Sequence, residues 1–290
     1  MVNGFDPSEY VLRPPPAPSR ARFYTEIATQ NQNVLFPSLI EFHPRVRESL
    51  MSSCLYHYAD PLPPLPPRPK NSDVAHKTSV RVVPADSLDC AEQLTVEGRQ
   101  DVTILNMANA VIPGGAYLQG AGAQEEALCR RSTLYLTIGA HRNFHPIPDH
   151  GAIYSPNVLV VRKSDDEGCE LLAIAERWWT SVISVAAIAK PRLISSGKDF
   201  ARREDKEDTR ERIRTVLRVA AHEGRKNLVL GALGCGAFKN PPRAVAILFR
   251  DVLKEREFAG RFDGIWFSII ERTGSDNFKV FEDILDGMEA

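Results

Sequence analysis

Residues 102–135, VTILNMANAVIPGGAYLQGAGAQEEALCRRSTLY, restrict the fold of this chain more than any other stretch. Val102 to Met107 is an apolar, β-branched run that reads as a buried strand. Ala108 to Ala123 is a loop of small residues, and Gln124 to Leu136 reads as a helix with Glu125 and Glu126 in its first turn, where acidic side chains suit the positive end of the macrodipole. A strand, a small-residue loop and a helix start together supply what close approach to a phosphate needs: absent side chains, free backbone N–H groups and a positive helix end. The paired carboxylates add a chemistry beyond anion binding. Adjacent helical positions point about 100° apart, so the two are expected to face different atoms. One would act on a substrate, as an acid that protonates the leaving oxygen of an acetal-like bond and then deprotonates water. The other would orient hydroxyls. Spacing alone favours the plainer role, in which both merely complement the helix end.

The rest of the chain supplies a context for this unit. From Ser79 onward, short apolar runs alternate with helical patterns: a strand at Ser79–Val83, a helix at Ser87–Val96 capped by Asp86 or Ser87, and apolar runs at 152–154, 158–161 and 182–189. An amphipathic helix is expected over 203–223, a strand at 228–230, a helix at 242–254, a strand at 265–270 and a closing helix at 277–285. This alternation predicts an α/β sandwich with a parallel or mixed sheet. A second glycine loop, Gly231 to Phe238, follows the strand at 228–230, so two small-residue loops are expected to share a cleft at strand carboxyl ends. Residues 1–70 read as an N-terminal helical and proline-rich extension, with a helix from Ser19 to Gln32, and residues 71–290 as the α/β domain. The run PLPPLPPRP, 61–69, favours a stiff polyproline strap; Leu62 to Arg68 within it also fits the pattern of a proline-rich ligand for SH3-type grooves.

Several functions are excluded. Lys+Arg 36 against Asp+Glu 37 give a net charge of −1, which argues against a general nucleic-acid or membrane-surface binder. No apolar run reaches membrane-spanning length and the N-terminus lacks the pattern of a signal peptide. Five dispersed cysteines without a CxxC pair predict free thiols and an intracellular setting, cytoplasmic or nuclear. There is no GxxxxGK[ST] motif, and Glu125 occupies the third glycine position of a GxGxxG beginning at Gly120. Cys235 has no base beside it, and His141 and His145 lack a third metal ligand and precede Pro146 and Pro148, so neither a thiol nucleophile nor a metal centre is expected.

ILNMANAVIPGGAYLQGAGAQEEALCRRSTLY closely resembles the signature of the microbial-type poly(ADP-ribose) glycohydrolases, a branch of the macrodomain superfamily. The matching parts are Asn106 to Pro113, Gly114-Gly115 with Ala116 in the third signature position, a seven-residue spacer and Gln124-Glu125-Glu126; Leu228 to Asn240 and Tyr154 to Arg162 resemble further family segments. The resemblance, over about residues 75–285, implies a macrodomain-like three-layer α/β/α sandwich with a mixed sheet, hydrolysis of ribose–ribose O-glycosidic bonds in poly(ADP-ribose) from chain ends, and no cofactor or metal. The ligand would be ADP-ribose or its polymer, with ADP-ribosylated proteins as targets. By that resemblance Glu126 is the acid/base and Glu125 its partner on ribose hydroxyls. Asn109 touches the sugar beside the broken bond, Gly114, Gly115 and Ala116 wrap the sugar and diphosphate, and Gln124 completes the binding signature. The backbone of Gly234, Cys235, Gly236 and Ala237 holds the diphosphate, and Phe238 packs on the terminal ribose. Ala116 departs from the pattern, which has a third glycine there. If that position takes a positive φ, its Cβ costs strain and turnover suffers before binding does. Two other readings therefore stand beside the glycohydrolase: an ADP-ribose-binding module, and a hydrolase of another ADP-ribosyl conjugate.

Overall fold

The structure, a computed structural model, describes residues 20–57, 62–66, 77–271 and 273–290. Three helices come first: α1 (Arg20–Gln30), which passes through one wide π turn at Asn31–Leu35 into α2 (Phe36–Phe42), then α3 (Pro44–Ser52). Next come β1 (Cys54–Tyr56), β2 (Ser79–Val83), α4 (Ser87–Val96), β3 (Val102–Ala108), α5 (Gln124–Arg131), α6 (Leu134–Ala140), β4 (Ala152–Val160) and β5 (Trp178–Ala186). The chain closes with α7 (Arg203–His222), β6 (Asn227–Leu230), α8 (Pro242–Leu253), β7 (Gly264–Ser268) and α9 (Asn277–Leu285).

The seven strands form one sheet in the order β1-β4-β5-β3-β6-β7-β2. β2, β7, β6, β3 and β5 run parallel, while β4 and β1 are antiparallel to their neighbours. β3 is central and buried on both faces, as its unbroken apolar run predicts. Leu105 joins the apolar layer that holds α7, α8 and α9, whereas Ile104 and Ala108 face the layer under α4, α5 and α6. The strand's two-residue period thus sorts its side chains into two cores, and the molecule is the expected α/β/α sandwich with a mixed sheet.

Several boundaries differ from the sequence reading for local reasons. The expected helix 124–136 is two helices, because the Ser132 hydroxyl accepts from Leu134 N–H and donates to the Leu128 carbonyl, while Thr133 accepts from Leu159 N–H. Such hydroxyls offer the backbone an alternative to the helix ladder. The two short runs at 152–154 and 158–161 belong to one strand, β4, interrupted by a register shift at 155–158 with Asn157 at φ 51°. The N-terminal segment lies against the sheet domain. α3 packs on β4, β1 extends the sheet beside β4, and Asn31, fully buried, bonds the Tyr117 hydroxyl and the Arg130 carbonyl. In the proline strap, Leu62 and Leu65 pack against the α7–α8 core and Leu65 N–H donates to Glu257 at 3.1 Å. Arg68 lies outside the described residues. Among the described residues, no helix is long and apolar enough to cross a membrane.

Candidate active site

β3 delivers the chain to the carboxyl edge of the sheet, and there its ladder with β6 ends at the pair Ile104–Val229. Beyond that point the Gln124 side chain takes the place of a strand. Its oxygen accepts from Met107 N–H at 2.9 Å and its amide donates to the Leu105 carbonyl at 2.6 Å. This clasp fixes the first turn of α5 against the end of β3, and it places Gln124 on the scaffold side of the site.

Glu125 and Glu126 follow, both buried. Glu125 Oε2 accepts from Asn109 N–H at 2.7 Å, and its Oε1 accepts from Asn106 Nδ2 at 3.3 Å. Asn106 is itself fully buried on β3 and also donates to Ser184 of β5 at 3.0 Å, so two neighbouring strands anchor this carboxylate. Burial pushes the Glu125 carboxyl up to about 8, against the opposing pull of the Asn109 N–H and the Asn106 amide. Glu126 is held by one oxygen: Oε1 accepts from Ala116 N–H at 3.0 Å, and Oε2 is buried with no hydrogen-bond partner. Among the described residues it is one of few polar atoms in that condition.

The loop folds back over this pair through Gly114 (φ +73°) and Gly115 (φ +57°). A Cβ on Gly115 would stand 2.4 Å from Glu126 Oε1 and 3.1 Å from Glu125 Oε2, so glycine is required there both by φ and by space. As expected of adjacent helical positions, the two carboxylates face different atoms: Glu125 accepts from Asn109 N–H and Asn106, Glu126 from Ala116 N–H. One oxygen of each nonetheless borders the space that a Gly115 side chain would fill. Ala116 takes φ −97° and ψ 33°, a region open to any residue, so the Cβ at this departure from the signature carries no left-handed strain. Asn109 uses its side-chain oxygen on the N–H groups of Val111 and Ile112, which shapes its own turn, and among the described residues its amide nitrogen makes no hydrogen bond.

The second loop lies across the β5 and β6 ends. Gly234 has φ +72°, and a Cβ there would meet Asn240 at 2.4 Å and Ala187 at 2.6 Å. Asn240 stitches the loop to its neighbour by donating to the carbonyls of Ile188 and Gly234. Among the described residues, the N–H groups of Gly236, Ala237 and Phe238 make no hydrogen bond, and Gly236 and Ala237 are exposed. Three successive N–H groups without a protein acceptor are donors of the kind an anion can use. The Cys235 thiol is buried and points away, with burial holding it far above the ordinary thiol range, so only its backbone can contribute. Phe238 is half-buried against the core, and its carbonyl accepts from Lys190 N–H. No group of three potential metal ligands occurs among the described residues, and His141 instead bonds Ser53 at 2.7 Å.

Sequence reasoning brought together the two loops and the two glutamates. It assigned no role to Asn106 and Ser184, whose alignment (paired in the β3–β5 register) is visible only once strand order is known.

Comparison with known proteins gives a consistent result. A family model described as the catalytic domain of microbial-type PARG matches residues 36–163. The X-ray structure of a poly(ADP-ribose) glycohydrolase from Thermomonospora curvata superposes with a TM-score of 0.71 at 28% identity, covering 91% of this chain and 98% of that one. The same enzyme bound to the inhibitor ADP-HPD gives the same values. A poly(ADP-ribose) glycohydrolase from Deinococcus radiodurans, solved in complex with ADP-ribose, superposes with a TM-score of 0.67 at 26% identity, covering 83% and 96%. No curated protein sequence matches.

Proposed function

We propose, from the match of residues 36–163 to the microbial-type PARG catalytic domain and the likeness to solved poly(ADP-ribose) glycohydrolases, that the chain hydrolyses the ribose–ribose bond of poly(ADP-ribose) with Glu126 as acid/base, releasing ADP-ribose from chain ends. The observation that carries this is the convergence of two buried carboxylates on Gly115, with Glu126 Oε2 left without a protein partner. An oxygen in that state is free to hold the proton that the leaving ribose oxygen takes as the glycosidic bond breaks. The same oxygen, then unprotonated, accepts a proton from the water that attacks the anomeric carbon, so the residue returns to its starting state. Ala116 N–H keeps the other oxygen fixed throughout. Glu125, tied to Asn106 and Asn109, holds ribose hydroxyls in place, and the open N–H groups of 236–238 hold the diphosphate. Burial of both carboxylates excludes bulk water from the developing charge.

The test is Glu126→Gln, which retains shape and hydrogen-bonding reach but cannot transfer a proton. Turnover of labelled poly(ADP-ribose) is expected to fall about 10²–10⁴-fold while calorimetric affinity for ADP-ribose changes little. Ala116→Gly serves as the partner experiment: with φ already negative there, restoring the signature glycine is expected to alter turnover less than about threefold. Unchanged turnover in Glu126→Gln would remove the assignment of the acid. A wild type that binds ADP-ribose without cleaving polymer, and gains activity only as Ala116→Gly, would make the protein a binding module.

A further inference from the structure

The chain after β5 forms a hairpin: Leu193 bridges Phe200, Ile194 N–H donates to the Asp199 carbonyl, and Ala201 N–H to the Arg192 carbonyl. Residues 190–203 carry Lys190, Arg192, Lys198, Arg202 and Arg203 against one carboxylate, Asp199, in a chain whose net charge is −1. Asp199 is already paired with Lys206 at 2.7 Å, and Arg202 lies 3.6 Å from Glu204. Lys190, Arg192 and Lys198, together with Lys239 on the neighbouring loop, are exposed, and among the described residues none has a carboxylate within 4.0 Å. Elsewhere the arginines are spent on ion pairs, as with Arg130, Arg131, Arg212, Arg214 and Arg218. Like charges set side by side without counter-charges repel.

The position of these cations gives them a use. β5 is the neighbour of β3 on the side away from β6, and the Asn106–Ser184 bond ties Glu125 to β5. Glu125 is thus tied through β3 toward β5, while the diphosphate cradle follows β6 and reaches over the end of β5, where Gly234 meets Ala187. The hairpin grows from the same place: Ala187 lies under Gly234, Ile188 accepts from Asn240, and Lys190 donates to the Phe238 carbonyl. The hairpin therefore leaves the sheet from β5, on the side of β3 opposite β6.

We propose that the hairpin 190–203, with Lys239, is a second anion subsite that holds the diphosphate of the ADP-ribose unit on the far side of the scissile bond. The inference rests on the function proposed above, and it makes the polymer, rather than a single conjugated ADP-ribose, the substrate that the surface favours. Neutralising polymer phosphates with lysine and arginine releases condensed counterions, so the added affinity depends on salt.

The test compares wild type with an Arg192→Glu/Lys198→Glu variant, using fluorescent poly(ADP-ribose) of defined length for anisotropy and ADP-ribose for calorimetry. A Lys254→Glu/Arg256→Glu variant, at the far end of α8, makes the same change in net charge at exposed positions away from the cleft. Polymer affinity is expected to fall tenfold or more in the hairpin variant alone. ADP-ribose affinity should stay within about twofold, and the slope of log K against log salt should shrink by about 1, at about 0.7 for each phosphate no longer neutralised. Undiminished polymer affinity, an equal loss in the control variant, or a parallel loss of ADP-ribose affinity would overturn the subsite. So would single-stranded DNA of matching phosphate number binding wild type as tightly as the polymer does. Release of no ADP-ribose by wild type would instead defeat the proposed hydrolysis, while the binding comparison would still judge the subsite.

Discussion

Glu125 loses water on burial, and its carboxyl rises from the ordinary 4.5 to about 8. An unfolded chain has released this proton above about pH 4.5, whereas the folded protein keeps it until about pH 8. Between those values the folded state binds more protons than the unfolded state, so stability falls as pH rises, and below 4.5 the penalty is absent. Glu125→Gln removes the titration. It is also accommodated without a donor clash: Asn106 Oδ1 has no partner, so the Asn106 amide can turn that oxygen toward the new side chain while Ser184 switches from acceptor to donor. The stability of Glu125→Gln relative to wild type is therefore expected to grow between pH 5 and pH 8, by up to about 4 kcal/mol, in urea denaturation at the two pH values. A difference that does not change with pH would show that Glu125 is ionised in the folded protein throughout. The neighbouring glycine shows the same economy. At Gly115 the missing Cβ gives both carboxylates their meeting place, and no nearby residue could substitute for that absence.

At the scale of elements, α1 and the π turn after it act on the site loop from behind. A Cβ on Gly120 would stand 1.9 Å from the Ala21 carbonyl, and the Arg130 guanidinium lies 3.7 Å over the Tyr24 ring while bonding Asp165 and the Ala121 carbonyl. Arg162, 2% exposed, is bound by Asn31, Gln30 and the Cys169 carbonyl, all neutral, and burial lowers its guanidinium to about 10. Asn31 thus serves three groups at once: Tyr117, Arg130 and Arg162. Asn31→Ala leaves all three short of a partner in a dry site, one of them a cation. The expected cost is about 2–4 kcal/mol in denaturant unfolding, well above that of an ordinary surface substitution. A loss under about 1 kcal/mol would mean that water replaces the amide and that the junction between α1 and the loop is looser than described.

Over the whole molecule, the elements with strong periodicity were legible in the sequence. β3, α4, α7, α8 and α9 announce themselves by buried runs, by the Asp86 cap that accepts from Leu88 N–H, or by an apolar stripe at helical spacing. The two glycine loops and the glutamate pair were legible because missing side chains and adjacent charges leave a mark in one dimension. What stayed hidden depends on partners distant in sequence. β1 is three residues long and gains its strand character only by pairing with β4, about a hundred residues later. The convergence of Glu125 and Glu126 needs the loop to double back, and the Asn106–Ser184 link needs β3 and β5 to be neighbours. The Gln124 clasp belongs to this hidden class, and it bears on motion as well as shape. The Met107 amide hydrogen is held by a side chain from the first turn of α5, not by another strand. Its exchange with deuterium should follow the fluctuations of that helix end rather than the global opening of the sheet. Met107 is expected to exchange faster than the β3 amides bonded within the ladder, and to slow when ADP-ribose settles on Glu126. A single backbone proton would then report how firmly the turn that carries Glu125 and Glu126 is seated.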